Sequence, residues 1–245
     1  MPQLLIVLLA GVAAGALNSV GGGGSFLAFP VLVAAGLTPV TANAATTVAL
    51  LPGVLASLWI YRNDLIPLQR TSTAVLTGMT VAGGALGAAL LLLLPSASFE
   101  TLVPGLLVFA TLVLIFGRRI GRRVRATRTR TILLGQFVLA IYGGYFGGAV
   151  GLLMVAFWSV AAGLDPAKGN PLRIAQLAAA YLTATAIFLV ASDVLDRPHE
   201  LSVLIAGALV GGLTGAAVAR KLPARVLRAL VLTSAITVTA AYLAT

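Results

Sequence analysis

The residues best equipped for chemistry in this chain are glycines and the few polar side chains close to them in sequence. Gly15 to Pro30 reads G-A-L-N-S-V-G-G-G-G-S-F-L-A-F-P, where Gly21, Gly22, Gly23 and Gly24 precede Ser25. Each glycine costs about 1 kcal/mol relative to alanine inside a helix, so this run breaks one. In a membrane the break leaves amides and carbonyls without partners, which is tolerated only where protein or a water-filled cavity covers them. The helix that restarts after the break aims free amides and a partial positive charge into the gap, which suits an anion. A weaker copy of the stretch recurs at Tyr142–Met154, with Gly147, Gly148 and Gly151. The alternative role for such glycines is close helix packing, and Gly83, Gly84, Gly87, Gly211, Gly212 and Gly215 read that way.

Polar residues accompany both breaks. Asn18, Ser19, Asn43, Thr46 and Thr47 go with the first; Tyr145, Asn170, Arg173 and Gln176 go with the second. An arginine within an apolar span is expensive in lipid, and its planar fork fits oxyanions. Arg173 also lies close enough to Pro171 to snorkel to the surface instead. Asn43 and Asn170 are placed either to bond the partner hairpin's broken backbone or to cap their own helices. Phe26, Phe29, Tyr145, Phe146, Phe157 and Trp158 are candidates to line a narrow path, while Trp59 and Tyr61 fit a membrane interface.

Absences narrow the chemistry. There is no cysteine and a single histidine, His199, which leaves no disulfide, thiolate or Fe–S cluster and no basis for a His-based metal site or triad. No cofactor, no metal and no enzymatic activity are expected. The carboxylates, Asp64, Glu100, Asp165, Asp193, Asp196 and Glu200, all fall at expected span ends, which argues against a cation pump or an acid-based proton relay.

The elements that position these residues are membrane helices. Of 245 residues, 60% are hydrophobic and 9% charged, against about 25% charged in soluble domains. Uninterrupted apolar runs approach the ~20 residues that span a bilayer, so the fold class is an all-α polytopic membrane protein. A β-barrel would need alternating strands. Spans are expected at 3–20, 24–37, 40–61, 70–94, 100–117, 131–146, 148–163, 171–192, 200–219 and 225–244. No cation precedes Arg62, so residues 3–20 read as a retained segment rather than a signal peptide. The net charge of +10 is concentrated in Arg118–Arg130. Between two spans, that run reads as a cytoplasmic flanking loop and not as a nucleic-acid site.

The two halves repeat. Ala34–Pro39 (A-A-G-L-T-P) matches Ala161–Pro166 (A-A-G-L-D-P) at an offset of 127, which also pairs Gly21 with Gly148, Gly24 with Gly151 and Asn43 with Asn170. One transmembrane domain, 1–245, then divides into repeat 1 (1–117), a cytoplasmic Arg-rich loop (118–130) and repeat 2 (131–245). Keeping 62–70, 118–130 and 220–228 inside and the net-negative 193–200 loop outside places 37–39 outside and 164–170 inside. Each glycine-broken segment then enters and leaves by the same face, as a re-entrant or fully spanning hairpin. The result is two inverted repeats, each one hairpin plus three transmembrane helices, with both termini periplasmic.

The pattern A-G-x-x-N-S-V-G-G-G-G-S-F-L-A-F-P-V-L, followed by A-G-L-T-P-V-x-A-N-A-A-T-T-V, resembles the sulfite exporter TauE/SafE family of bacterial inner-membrane permeases, over nearly the whole chain. The second copy, G-G-Y-F-G-G-A-V-G-L-L-M, departs from it, with Val150 for a glycine and Phe157 where Pro30 would stand. The resemblance implies outward transport of a small sulfur-containing anion such as sulfite or a sulfonate. The partners expected are that anion and the lipid bilayer; a homodimer is compatible with the sequence. A membrane assembly or sensor protein, or an importer of another solute, stays open.

Overall fold

The computed structural model describes residues 2–68, 71–121, 128–165 and 168–219, with isolated positions at 226, 229, 233, 236, 237 and 240. These described residues form α1 (Pro2–Val20), α2 (Ser25–Ala34), α3 (Pro39–Tyr61), α4 (Thr73–Leu93), α5 (Ser96–Gly121), α6 (Thr129–Tyr145), α7 (Val150–Ala162), α8 (Asn170–Ala191) and α9 (Pro198–Ala219). Five of them, α1, α3, α4, α8 and α9, are long and apolar enough to cross a membrane. At 1.5 Å per residue, the 10-residue α2 rises only ~15 Å, half the ~30 Å hydrocarbon core.

Local signals set the boundaries. Val20 ends α1 where the glycines begin. Pro39 occupies the first turn of α3, and the Thr38 hydroxyl accepts from the Thr41 amide at 3.3 Å. Gly163 closes α7 in the left-handed region (φ 64°). The matching Asp165–Pro166 does not open α8. Asp165 Oδ1 instead accepts from the Lys168 amide, and α8 starts at Asn170. Helix α5 begins at Ser96 and runs on to Gly121, four residues past the expected end of that span. Residues 122–127 of the arginine-rich loop and most of the expected span 225–244 lie outside the described residues.

Helix pairings are interchangeable between the halves. Swapping α1 with α6, α2 with α7, α3 with α8 and α4 with α9 turns the α1–α9 contact into α6–α4, α3–α9 into α8–α4, α1–α2 into α6–α7 and α2–α3 into α7–α8. Four of the five left-handed backbone positions obey the same 127-residue offset: Gly36 (φ 93°) pairs with Gly163 (φ 64°), and Gly22 (φ 83°) with Ala149 (φ 56°), while Gly147 (φ 73°) has the helical Val20 as its counterpart. Missing side chains allow the two long pairs to approach. A Cβ on Gly11 of α1 would meet Leu204 O of α9 at 2.7 Å, and one on Gly83 of α4 would meet Ala140 Cβ of α6 at 2.7 Å.

The first hairpin closes on itself. Gln3 Nε2, at the start of α1, donates to Ala35 O just beyond α2 at 3.2 Å. Tyr61 turns inward, buried with its hydroxyl donating to Ala216 O at 3.4 Å, whereas Trp59 is exposed with the Arg62 guanidinium 4.1 Å above its ring.

Candidate functional site

The two glycine breaks meet. A Cβ on Gly22 would lie 3.0 Å from Gly151 Cα, and one on Gly151 would lie 3.3 Å from Gly22 Cα. A methyl at either position would crowd this approach, and the left-handed φ at Gly22 favours glycine there again. Both hypothetical Cβ atoms also point at one group, Arg173 Nη1, at 2.6 Å from Gly22 and 3.0 Å from Gly151.

Arg173 is one turn into α8 and only 1% exposed. It does not reach the surface. Its Nε and Nη2 donate to Asn170 Oδ1 at 2.9 and 2.7 Å, and Nη2 also donates to Ser19 O at 3.0 Å. Ser19 O is one of the carbonyls left without an intrahelical partner where α1 stops. A side chain of the second half therefore caps the broken helix of the first, where its charge also opposes the helix's negative end. The reverse cap exists: Asn43 Nδ2 of α3 donates to Tyr145 O, at the end of α6, at 2.9 Å. Asn43 acts directly and its counterpart Asn170 acts through Arg173.

The restarting helices supply amides. In the first break, Gly21 and Gly22 donate to Leu17 O, and Gly24 donates to Asn18 Oδ1 at 2.9 Å. The amides of Gly23 and Ser25 carry no protein hydrogen bond among the described residues. In the second break Gly147 donates to Tyr142 O and Val150 to Gly147 O, which leaves the amides of Gly148, Ala149 and Gly151. The second break thus frees as much backbone as the first despite having fewer glycines, because Ala149 takes the left-handed conformation that Gly22 takes in the first. Only the offset to Gly22 marks that alanine in the sequence.

Side chains around the crossing are buried and neutral apart from Arg173. Ser25 Oγ hydrogen-bonds Tyr181 Oη at 2.9 Å, with the Asn18 amide beside that tyrosine. A Cβ on Gly147 would stand 3.6 Å from Thr47 Oγ1 and 3.9 Å from Ser25 Oγ, so the N-terminus of α2 faces the second break. Among the described residues, Thr46 Oγ1, Tyr145 Oη and Arg173 Nη1 are buried side-chain atoms without a hydrogen-bond partner. Such atoms cost about 1–3 kcal/mol each unless something satisfies them. Thr46 and Arg173 are separated by the same 127-residue offset.

Two other candidates face elsewhere. The Ser19 hydroxyl turns away from the crossing, 2.6 Å from Ser57 Oγ and 3.0 Å from Gly212 O. Gln176 is committed to α4, its Nε2 donating to Thr77 Oγ1 at 2.9 Å and its Oε1 accepting from Thr80 at 2.6 Å. Thr80 also accepts from Gln136 Nε2, whose Oε1 accepts from the Trp158 indole, giving a buried and internally satisfied network. The Gly148 carbonyl accepts from the Tyr142 hydroxyl at 2.8 Å. Beside it an aromatic cluster packs edge to face: Phe29 with Phe99 and Phe146, and Phe99 with Tyr145.

The family model for the sulfite exporter TauE/SafE matches residues 7–243. The chain belongs to the sulfite exporter TauE/SafE family. This TauE/SafE member is 26% identical over 217 residues to the Haemophilus influenzae "Probable membrane transporter protein", covering 87% of this chain and 84% of that one. It is also 26% identical over 174 residues to the "Probable membrane transporter protein YfcA" of Escherichia coli K12, covering 69% and 64%. The TauE/SafE chain is a multi-pass membrane protein, and its glycine breaks and Arg173 lie within the matched region.

Proposed function

We propose that the chain is an inner-membrane transporter that carries a small sulfur-containing oxyanion, such as sulfite or a sulfonate, outward between two inverted repeats with periplasmic termini. The observation that carries this reading is Arg173 Nη1: a buried, charged donor with no partner among the described residues, at the point where Gly22 and Gly151 touch. An oxyanion there would accept from Nη1, from the free amides of Gly23, Ser25, Gly148 and Gly151, and from Thr46. Gly21, Gly24 and Gly147 shape the breaks, and Asn18, Asn43, Thr47, Tyr145 and Asn170 hold them. Ser19 serves through its carbonyl and Gln176 by fixing α8 against α4. The interchangeable helix pairings and the Gln3–Ala35 closure of the first hairpin favour inverted repeats. Alternating access then amounts to rocking one repeat against the other about the crossing. Outward movement of an anion is aided by an inside-negative potential, about 2.3 kcal/mol per charge per 100 mV.

Purified protein in liposomes should show sulfite or methanesulfonate flux that is lost in Arg173→Ala and in Gly23→Leu. Equal flux in wild type and both variants would remove the site from the crossing.

A further inference from the structure

Among the described residues, Arg173 is the buried positive charge, and no negative charge is buried with it. The chain's six carboxylates are all described: Asp64, Glu100, Asp165, Asp193 and Asp196 are exposed and Glu200 is partly exposed. The two oxygens that Arg173 does engage, Asn170 Oδ1 and Ser19 O, are neutral. A buried charge without a counter-charge is strongly unfavourable, so the missing member of this pair is a ligand of opposite sign. We propose, resting on the transport reading above, that the occupant is a singly charged oxyanion and that the site rejects dianions.

The remaining groups at the crossing support a charge count of one. Ser25, Thr46, Thr47, Tyr145, Tyr181 and the free amides donate hydrogen bonds but carry no charge. Two-fold architecture offers one obvious place for a second cation: position 46, the counterpart of Arg173. A threonine occupies it, and its hydroxyl is buried and unpaired. A monoanion with Arg173 makes a neutral pair in a low-dielectric setting. A dianion leaves one uncompensated negative charge there, with the penalty of any buried unpaired ion.

The test uses the full chain in proteoliposomes with three probes. Methanesulfonate is a monoanion at any pH near neutrality, sulfate is a dianion, and sulfite exchanges between the two forms near neutrality. Methanesulfonate flux should be the same on the acid and alkaline sides of neutrality. Sulfite flux should fall several-fold on the alkaline side, in step with its monoanion fraction. Sulfate should move at least about 100-fold more slowly than methanesulfonate. Sulfate moving as fast as methanesulfonate, or sulfite flux rising as the dianion accumulates, would overturn the charge assignment while leaving the transport reading intact. No movement of any of the three would overturn the transport reading and this inference with it.

Discussion

Arg173 Nη2 lies 3.0 Å from the carbonyl oxygen of Ser19, so the end of the broken helix α1 is held by a side chain of α8, from the other half of the chain. The same guanidinium presents Nη1, unpaired among the described residues, at the Gly22–Gly151 contact. One residue thus ties together the parts that alternating access would have to move and the place where an anion would sit. Binding would redistribute its hydrogen bonds, which is a direct way for substrate to change how firmly the repeats hold one another.

Arg173→Lys keeps the charge but loses the fork. Lysine cannot bond Asn170 and Ser19 and still face the crossing with a planar donor set. The expected outcome is anion flux reduced about 10–100-fold, with the charge preference retained, because one to two charge-assisted hydrogen bonds are lost. Initial-rate flux in liposomes reads this, and a wild-type rate would show that the fork is not used.

Gly151→Ala places a methyl 3.0 Å from Nη1 and 3.3 Å from Gly22 Cα. The arginine must shift, and flux should be lost while the protein still inserts and purifies. Gly78→Ala is the matched control: nothing stands within 4 Å of its Cβ. In the α4 interior it should stabilise by about 0.5–1 kcal/mol and leave flux unchanged. Thermal unfolding in detergent reads the stability and vesicle flux the function.

Ala149→Gly should stabilise the protein. Alanine at φ 56° holds a left-handed conformation that costs about 1–2 kcal/mol, of which glycine's added chain entropy returns about half. The midpoint of thermal unfolding should rise; a fall would contradict the backbone assigned to the second break. Asn43→Leu acts in the opposite sense, leaving the buried Tyr145 carbonyl without its donor at a cost of about 1–3 kcal/mol.

The proposed inverted repeats have a direct topological consequence. The chain has no native cysteine, so single cysteines report cleanly. Thr38→Cys and Asp165→Cys stand at equivalent positions of the two repeats and should react with a membrane-impermeant thiol reagent from opposite faces, Thr38→Cys from the outside. Gln3→Cys should label from the same face as Thr38→Cys. Labelling of Thr38→Cys and Asp165→Cys from one face would replace inverted by parallel repeats.

Among the described residues, helix order and, α5 aside, helix extent were legible in the sequence because membrane helices end at glycine and proline and there are many of both. The offset of 127 likewise announced the pairings of Gly21 with Gly148, Gly24 with Gly151 and Asn43 with Asn170, whereas the left-handed Ala149 opposite Gly22 emerged only from the backbone. What the sequence could not convey is which way each side chain faces. In soluble helices the apolar stripe gives the buried side, but lipid is as apolar as a protein core, so α1, α3 and α8 are hydrophobic all round. That is why the Ser19 hydroxyl, turned to Ser57, and Gln176, bonded to α4, could not be told from residues facing the crossing. Tyr61 is buried rather than interfacial for the same reason. Arg173 was undecidable in the sequence because snorkelling and burial begin from the same position; its contact with Ser19, 154 residues away, decides it for burial.

The central claim is that a small oxyanion is held by Arg173 at the crossing of the two glycine breaks. Its most direct test is methanesulfonate flux through liposomes carrying equal amounts of wild type, Arg173→Gln and Gly78→Ala. The account predicts wild-type flux in Gly78→Ala and a loss of at least about 100-fold in Arg173→Gln, the effect of removing a buried charge partner. Undiminished flux in Arg173→Gln would contradict it.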